Sequence, residues 1–281
     1  MAEIMKGAPA AAALTEELTR RAEALRQKGV APCLAIVRLG ARDDDLAYER
    51  GAMKRCAAIG IAVRQVVLPE DADTASVLSA IRDINEDDTV HGCLIMRPLP
   101  RGVDEAAVCA ALTPRKDVDG ITPGAMAAVY EGRGGAPCTA EACLTLLRHY
   151  GVALDGRRAV VVGRSAVIGR PAAMLLLREN ATVTICHSHT ADLPAIVREA
   201  DIVIAALGKA EALGGDCFRA GQTVVDVGIH SSEAKGRMVG DVDFDAAAPI
   251  VDAITPVPGG VGAVTTAVLC RHVIDAAEKA V

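Results

Sequence analysis

The feature of this 281-residue sequence that most constrains its fold is a regular alternation of short apolar runs with segments of helical periodicity. In the first half of the chain, apolar runs are followed by segments whose apolar residues recur every three or four positions. This order predicts a parallel β-sheet with helices packed on it. The predicted strands are 33–37, 62–68 and 90–96, and the predicted helices are 46–59, 74–84 and 104–112.

The second half of the chain repeats the alternation after a glycine-rich loop at 132–137. Thr139 is the expected N-cap of its first helix. The rhythm of this half is typical of a Rossmann-type nucleotide-binding domain, so we predict an α/β fold. The predicted strands are 158–162, 181–186, 202–206 and 223–227, and the predicted helices are 139–150, 168–179, 191–200 and, after a second glycine-rich loop, 264–280.

The composition argues against a nucleic-acid-binding role. The formal net charge is -6, and the chain has only five aromatic residues, three Tyr and two Phe, with no Trp. Proteins that bind nucleic acids need a basic surface, and many stack bases on aromatic rings. We therefore expect neither a nucleic-acid partner nor a general affinity for polyanions.

The nine cysteines and the N-terminal segment indicate the compartment. The cysteines are scattered singly without any C-x-x-C pair, which favours buried thiols in a reducing compartment over disulfides or a metal site. Charged residues follow closely on the Ala-rich start of the chain, which predicts a surface helix rather than a signal peptide. No apolar run approaches the ~20 residues needed to span a bilayer. We therefore expect a cytoplasmic protein without membrane contacts.

The turn from Gly163 to Gly169 is a candidate phosphate-binding loop. It lies between a predicted strand and a predicted helix, where glycine permits a tight turn and backbone amides can hold phosphate. Ser165 replaces the second glycine of the usual G-x-G-x-x-G pattern, and the final spacing is one residue longer. The alternative is that the glycines only allow a strand-to-helix turn.

The end of the next predicted strand indicates which nucleotide is bound. NAD enzymes place an acid there to hold the ribose hydroxyls, whereas residues 187–190 read His-Ser-His-Thr. Arg164 supplies a cation and Ser188 a hydroxyl, and both suit a 2′-phosphate, so NADP is predicted as the cofactor. Asp192 is interpreted as an acid of the following helix's first turn. The alternative for Ser188 is a helix cap.

Four motifs, read together, resemble the methylenetetrahydrofolate dehydrogenase/methenyltetrahydrofolate cyclohydrolase family. The resemblance runs from Pro32 to the C-terminal helix. It implies two α/β domains flanking a cleft in a homodimer, with tetrahydrofolate derivatives bound by a domain at 1–138, completed by 264–281. NADP would be bound by a Rossmann-type domain at 139–263. The motifs are Asp117-Val118-Asp119-Gly120, Gly163-Arg164-Ser165 with Gly169-Arg170-Pro171, Asp226-Val227-Gly228-Ile229 and Thr255-Pro-Val-Pro-Gly-Gly-Val-Gly262.

The resemblance also implies roles for individual residues. Tyr48 would pack on the pterin and aminobenzoyl groups, and Asp119 would anchor the amino-pyrimidine edge of the pterin; both are candidate catalytic residues. Ile229 would lie beside the cofactor, with Gly163, Arg164, Ser165 and Ser188. The alternatives are a core aromatic for Tyr48 and a loop acid for Asp119. The residues expected to close over folate are Pro258, Gly259, Gly260, Val261, Gly262 and Thr265.

The sequence departs from the family pattern at several site positions. The family usually has lysine where Ala52 stands, glutamine at Met96 and serine at Asp45. Ala263-Val264 also replaces a common Pro-Met pair. Lys54 should face away from position 52 on the helix. Arg97 should point to the opposite face of the strand from Met96, unless the strand end bends.

These departures lead to the functional prediction. Hydride transfer from methylenetetrahydrofolate to NADP needs mainly alignment, whereas the cyclohydrolase step needs proton transfer, for which the family lysine and glutamine are implicated. We therefore predict a dehydrogenase with weak or absent cyclohydrolase activity. A fully bifunctional enzyme using Asp45 or Arg97, a catalytically weak folate- or NADP-binding regulator and an unrelated dehydrogenase of small acids are the alternatives.

Overall fold

The computed structural model describes residues 2–280, so the termini of the predicted domains, at 1 and 281, lie outside the described residues. The chain forms two compact units. One, called here the six-stranded unit, combines the chain up to Ala11 with Val129–Thr265. The other, called the three-stranded unit, combines Ala12–Ala128 with the chain from Thr266 onward.

The helices and strands follow one another in the predicted alternation. The first half of the chain contains β1 (Glu3–Ile4), α1 (Gly7–Gln27), β2 (Cys33–Leu39), α2 (Asp43–Ile59), β3 (Ala62–Leu68), α3 (Thr74–Glu86), β4 (Gly92–Ile95), α4 (Glu105–Ala111) and α5 (Pro123–Tyr130). The second half contains α6 (Cys138–His149), β5 (Arg158–Val162), α7 (Gly169–Arg178), β6 (Thr182–Cys186), α8 (Leu193–Glu199), β7 (Ile202–Ala205), β8 (Thr223–Asp226), β9 (His230–Ser232), β10 (Arg237–Val239), α9 (Phe244–Ala247), β11 (Ala253–Ile254) and α10 (Gly262–Glu278).

The three-stranded unit is built on a parallel sheet in the order β3-β2-β4. Apolar side chains of the central strand β2, among them Ala35 and Val37, are fully buried and pack with Ile81 and Ile84 of α3. A side-chain cap fixes the start of α3, since the Asp73 carboxylate accepts from the Ser76 amide at 2.9 Å. This sheet therefore carries the sequence segments that contain Tyr48, Arg97 and Asp119.

The six-stranded unit is built on a parallel sheet in the order β1-β11-β8-β7-β5-β6, with a separate antiparallel hairpin of β9 and β10. Its inner strands β5 and β7 are buried and almost entirely apolar, as expected where helices cover both faces of a parallel sheet. Val160, Val203 and Val224 on three neighbouring strands lie in one buried core. The predicted α/β fold class is confirmed in both units.

Two sequence predictions differ from the structure. The prediction that Thr139 caps α6 is wrong, because α6 begins at Cys138 and Pro137 occupies the N-cap position. Residues 2–11 and 129–138 group with the six-stranded unit, and Glu3 of β1 pairs with Ala253 of β11. The sequence placed them in the folate domain at 1–138.

Eight of the nine cysteines are buried and Cys33 is half-buried. Among residues 2–280, no helix is both long and apolar enough to cross a bilayer.

Candidate active site

The turn between β5 and α7 requires glycine at two positions. Gly163 has φ +142°, and a Cβ there would lie 2.1 Å from the Ala206 carbonyl oxygen. A Cβ at Gly169 would lie 2.2 Å from the carbonyl oxygen of Gly163. Side chains cannot be accommodated at such distances, so the turn stays tight and its backbone stays accessible.

Ser165 organises this turn from within. Its Oγ accepts from the amides of Ile168 at 3.1 Å and Gly169 at 3.3 Å. The Arg170 amide donates to the Ser165 carbonyl at 3.0 Å. The amides of Ile168 and Gly169 are therefore already used within the turn, and the amides that precede Ile168 are the candidates for binding phosphate. The Ser165 hydroxyl can also donate its own hydrogen to a phosphate oxygen.

The two groups predicted to hold the 2′-phosphate follow neighbouring strands. Val162 pairs with Cys186 in parallel register, and the Gly163 amide donates to the Cys186 carbonyl at 2.9 Å. The turns carrying Arg164 and Ser188 thus leave the same sheet edge, and both residues are exposed. Asp192 is the N-cap of α8, so the capping alternative for Ser188 does not hold.

Arg164→Ala is expected to raise KM for NADP about 10-fold and to change KM for NAD much less. A hydrogen bond between charged groups contributes roughly 1.5–3 kcal/mol, and exposure keeps the effect at the lower end. Arg170→Ala, which removes an exposed arginine six residues further on, is the matched control. Equal losses for both cofactors would remove Arg164 from the 2′-phosphate site.

Two buried aspartates hold the loops beyond β7 and β8: Asp226, the first residue of one of the four motifs, and Asp241, which the sequence analysis did not single out. Asp226 accepts from the amides of Gly228, Asp241 and Val242 at 2.9–3.0 Å, and burial raises the pKa of its carboxyl to about 6. Asp241 accepts from three successive amides, at Leu207, Gly208 and Lys209, and contacts His230 Nε2 at 2.8 Å. For Asp241, the sequence signal is an acid beside glycine, at Gly240-Asp241.

Ile229, predicted to lie beside the cofactor, follows β8 and is 65% exposed. An exposed branched apolar side chain at a strand end is available for a flat ligand surface. Its assignment stays a prediction.

The glycine-rich loop after β11 is anchored at both ends. The Asp226 amide donates to Thr255 Oγ1 at 2.8 Å, and the Gly7 amide donates to the Gly259 carbonyl at 2.7 Å. Thr265 is buried and its hydroxyl donates to the Val261 carbonyl at 3.3 Å. Of the residues predicted to close over folate, Pro258, Gly259 and Gly262 are exposed, whereas Gly260, Val261 and Thr265 are buried.

The loop that carries Asp119 follows α4 in the three-stranded unit. The Asp117 carboxylate accepts from the amides of Ile121 at 3.1 Å and Thr122 at 2.7 Å. His272 of α10 contacts the Val118 carbonyl at 2.8 Å through Nδ1. These contacts fix the backbone on both sides of Asp119, whose side chain is 25% exposed.

Arg97 lies beside Asp119, contrary to the simple expectation from strand alternation. Its Nη2 is 4.0 Å from Asp119 Oδ2, and its Nη1 is 3.6 Å from Glu105 Oε1. The strand β4 ends at Ile95, so the alternating direction of strand side chains no longer applies at Arg97. Glu105, which sequence reasoning missed, also accepts from the Leu99 amide at 2.8 Å.

Helix α2 carries Tyr48 and the departures from the family pattern. Tyr48 is half-buried, Ala52 is fully buried and Lys54 is exposed. Both carboxylate oxygens of Asp45 are bonded by the Arg42 guanidinium, at 2.9 and 2.7 Å. Met96 is 6% exposed. Asp45 and Arg97 are the two candidate replacements for the family lysine. Asp45 is paired with Arg42, whereas Arg97 lies next to Asp119.

The six-stranded unit has a parallel sheet and a glycine-dependent turn between β5 and α7. Arg164 supplies a cation in that turn, and no acid follows the neighbouring strand β6 directly. These features define the class of enzymes that use a nicotinamide nucleotide. Residues 137–281 match the NAD(P)-binding domain of tetrahydrofolate dehydrogenase/cyclohydrolase, and residues 5–119 match its catalytic domain. The chain therefore belongs to the tetrahydrofolate dehydrogenase/cyclohydrolase family.

Relatives resemble the chain over its whole length. "Bifunctional protein FolD" of Carboxydothermus hydrogenoformans is 49% identical over 281 residues, covering 99% of this chain and 98% of the relative. The bifunctional FolD enzyme from Campylobacter jejuni has a solved structure with a TM-score of 0.96 at 36% identity, covering all of both chains. The Trypanosoma brucei enzyme, solved with NADP and an inhibitor, has a TM-score of 0.91 at 36% identity, covering 99% of this chain and 98% of that one.

These findings confirm the predicted family, the predicted class of enzyme and NADP as the cofactor. They do not favour the prediction that cyclohydrolase activity is weak or absent, because the similar proteins are named as bifunctional.

Proposed function

We propose that this protein is a bifunctional enzyme. It oxidises 5,10-methylenetetrahydrofolate with NADP and hydrolyses the resulting 5,10-methenyltetrahydrofolate to 10-formyltetrahydrofolate. The observation that carries the proposal is 49% identity along the whole chain to a relative named as bifunctional. The alternative from the sequence analysis thus replaces the main prediction.

In the first reaction, the three-stranded unit would hold the folate and the six-stranded unit the cofactor. A carboxylate such as Asp119 can accept two parallel N–H bonds from an amino-pyrimidine ring. The half-buried Tyr48 offers a flat surface to the rest of the pterin. NADP, when bound, accepts the hydride that leaves the methylene carbon, while a folate nitrogen forms the new double bond to that carbon. The protein mainly aligns donor and acceptor.

The second reaction adds water to the methenyl carbon and breaks a carbon–nitrogen bond. Ala52 cannot carry the charge of the family lysine, and Met96 cannot make the hydrogen bonds of the family glutamine. Arg97, however, places a cation 4.0 Å from Asp119, inside the proposed folate site. A fixed positive charge beside the pterin can stabilise the negative charge that develops on the ring as the carbon–nitrogen bond breaks, without moving a proton. The site therefore supports the bifunctional proposal better than a dehydrogenase alone.

Separate assays of the two steps test the proposal. We expect NADP reduction with methylenetetrahydrofolate, and hydrolysis of methenyltetrahydrofolate well above the buffer rate. General acid–base and electrostatic assistance is typically worth about 10²–10⁴ in rate, so the second activity should be plain. Reduction without enzymatic hydrolysis would restore the dehydrogenase-only prediction, and loss of both would overturn the proposal.

We also propose that the enzyme is a homodimer that acts in the cytoplasm. The family resemblance supports the dimer, and the mostly buried thiols are compatible with a reducing compartment. Sedimentation at micromolar concentration tests the dimer, since a mass near 29.0 kDa would contradict it.

A further inference from the structure

The guanidinium of Arg97 is incompletely satisfied by the protein. Its distances of 3.6 Å to Glu105 and 4.0 Å to Asp119 are both longer than hydrogen bonds. Within residues 2–280, its Nε is also buried without a hydrogen-bond partner. A guanidinium has five N–H donors, and a buried donor without an acceptor is costly. The unused donors indicate an acceptor that a ligand supplies.

The neighbouring Asp119 indicates which hydrogen-bonding groups that ligand must present. A carboxylate and a guanidinium side by side form an acceptor followed by a donor. The edge of a 2-amino-4-oxopyrimidine ring presents the complementary order, namely two N–H donors at the 2-amino group and N3, followed by the carbonyl oxygen at position 4. The two side chains together match three consecutive polar atoms of one ring edge.

We propose that Arg97 is a specificity-determining residue that donates to the 4-oxo oxygen of the pterin ring, while Asp119 accepts from the 2-amino group and N3. The assignment rests on the proposed function, because that function places the folate at Asp119. It gives Arg97 a role in recognising the pterin ring, which is separate from the role of the family's usual lysine and glutamine in proton transfer.

Glu105 is a positioning residue in this arrangement. One carboxylate oxygen accepts from the Leu99 amide at 2.8 Å, and the other faces Arg97 at 3.6 Å. Glu105 is the first residue of α4, whose start is capped by Asp104 through the Ala107 amide at 3.0 Å. The helix therefore holds the carboxylate still, and the carboxylate keeps the guanidinium beside Asp119 rather than in solvent.

This arrangement discriminates against rings with an amino group at position 4. A 2,4-diaminopteridine presents N–H donors where Arg97 also presents donors, so that hydrogen bond is lost and two donors face each other. Its N3 also lacks a hydrogen, so Asp119 loses one of its two bonds and contributes to the same preference. A site that hydrogen-bonds one group rejects the analogue lacking it, because its own polar atoms are left unpaired. The protein should therefore prefer 4-oxo folates to 4-amino folates.

The test compares tetrahydrofolate with tetrahydroaminopterin as competitors of methylenetetrahydrofolate in the NADP-reduction assay. The two ligands differ in the group at position 4 and in N3, which carries a hydrogen only in the 4-oxo ring, so the change in preference on mutation of Arg97 is the decisive measurement. Wild type should bind the 4-oxo ligand at least about 10-fold more tightly. Arg97→Met should weaken the 4-oxo ligand about 10- to 100-fold and change the 4-amino ligand by less than about threefold. Arg97→Lys should restore part of the preference, and Glu105→Gln should reduce it less than Arg97→Met does.

The control is Arg101→Met, which removes an exposed arginine four residues away. It should leave both affinities unchanged. Equal weakening of both ligands in Arg97→Met, or an unchanged preference, would overturn the assignment and leave Arg97 a structural residue. Absence of methylenetetrahydrofolate turnover by the wild type would instead overturn the proposed function, and this assignment with it.

Discussion

Replacing Asp119 with alanine is expected to lower kcat/KM for methylenetetrahydrofolate about 30- to 1000-fold, while the affinity for NADP stays within about twofold. Charge-assisted pairing to a ring edge contributes about 2–4 kcal/mol, and its loss also leaves Arg97 without the neighbouring negative charge. Steady-state kinetics with each substrate varied in turn, together with direct titration of NADP, measure both quantities.

Asp88→Ala is the matched control for this variant. It removes an aspartate from the same unit whose side chain is 87% exposed and whose contact with Arg115, at 3.5 Å, is long. The control should behave as wild type. An Asp119→Ala enzyme with unchanged folate kinetics would remove Asp119 from the pterin site and leave it a loop acid.

Replacing Asp241 with alanine is expected to cost on the order of 3–6 kcal/mol of unfolding free energy, because three backbone amides lose their shared acceptor. Asp241 is fully buried and accepts from Leu207, Gly208 and Lys209. The affected loop directly follows Ala206, whose carbonyl closely approaches Gly163. NADP affinity should therefore fall as well. Urea unfolding and NADP titration measure the two effects.

Such a cost is a large share of a typical total stability of about 5–15 kcal/mol, so we expect Asp241→Ala protein to accumulate poorly. Asp241→Asn keeps one acceptor oxygen and should lose a smaller amount that remains measurable. Asp245→Ala serves as the control, since it removes an ion pair with Arg237 whose aspartate is 60% exposed. A cost within about 1 kcal/mol of this control would show that the loop does not depend on Asp241.

The regular part of the fold was accessible from the sequence. The strands Ala62–Leu68 and Arg158–Val162 were predicted with the bounds that the structure has, and α3 and α7 differ only at their ends. These segments have strong apolar periodicity, and local pattern and tertiary burial agree there. Helix ends were less accurate because caps depend on contacts that periodicity does not encode, as Pro137 shows at the start of α6.

Short elements defined by distant partners were not predicted. Each of β1 and β11 has two residues, which is too few for a period of two to be detected. The β9–β10 hairpin is polar at His230–Ser232 and lacks the apolar alternation of a buried strand. These elements exist because an already formed sheet edge or turn offers them hydrogen bonds.

The candidate site divides in the same way. The glycines of the β5–α7 turn were identifiable because a tight turn restricts the residue type. For Arg97, strand alternation favoured the opposite face unless the strand end bends, and β4 ends at Ile95, before Arg97. Glu105 and Asp241 were missed because an isolated acid in a sequence looks like a solvated charge, and only the folded chain shows which amides it meets.

The pairing of β1 with β11 has a consequence for synthesis. Glu3 and Ala253 are neighbours in the sheet, although about 250 residues of chain separate them. At a synthesis rate of roughly 5–20 residues per second, β11 is synthesised about 12–50 s after β1, so β1 has no strand partner during that time. The three-stranded unit likewise waits for the segment from Thr266 onward. Neither unit can complete its folding cotranslationally from the N-terminus, so a nascent chain stalled before residue 253 leaves both units unfinished.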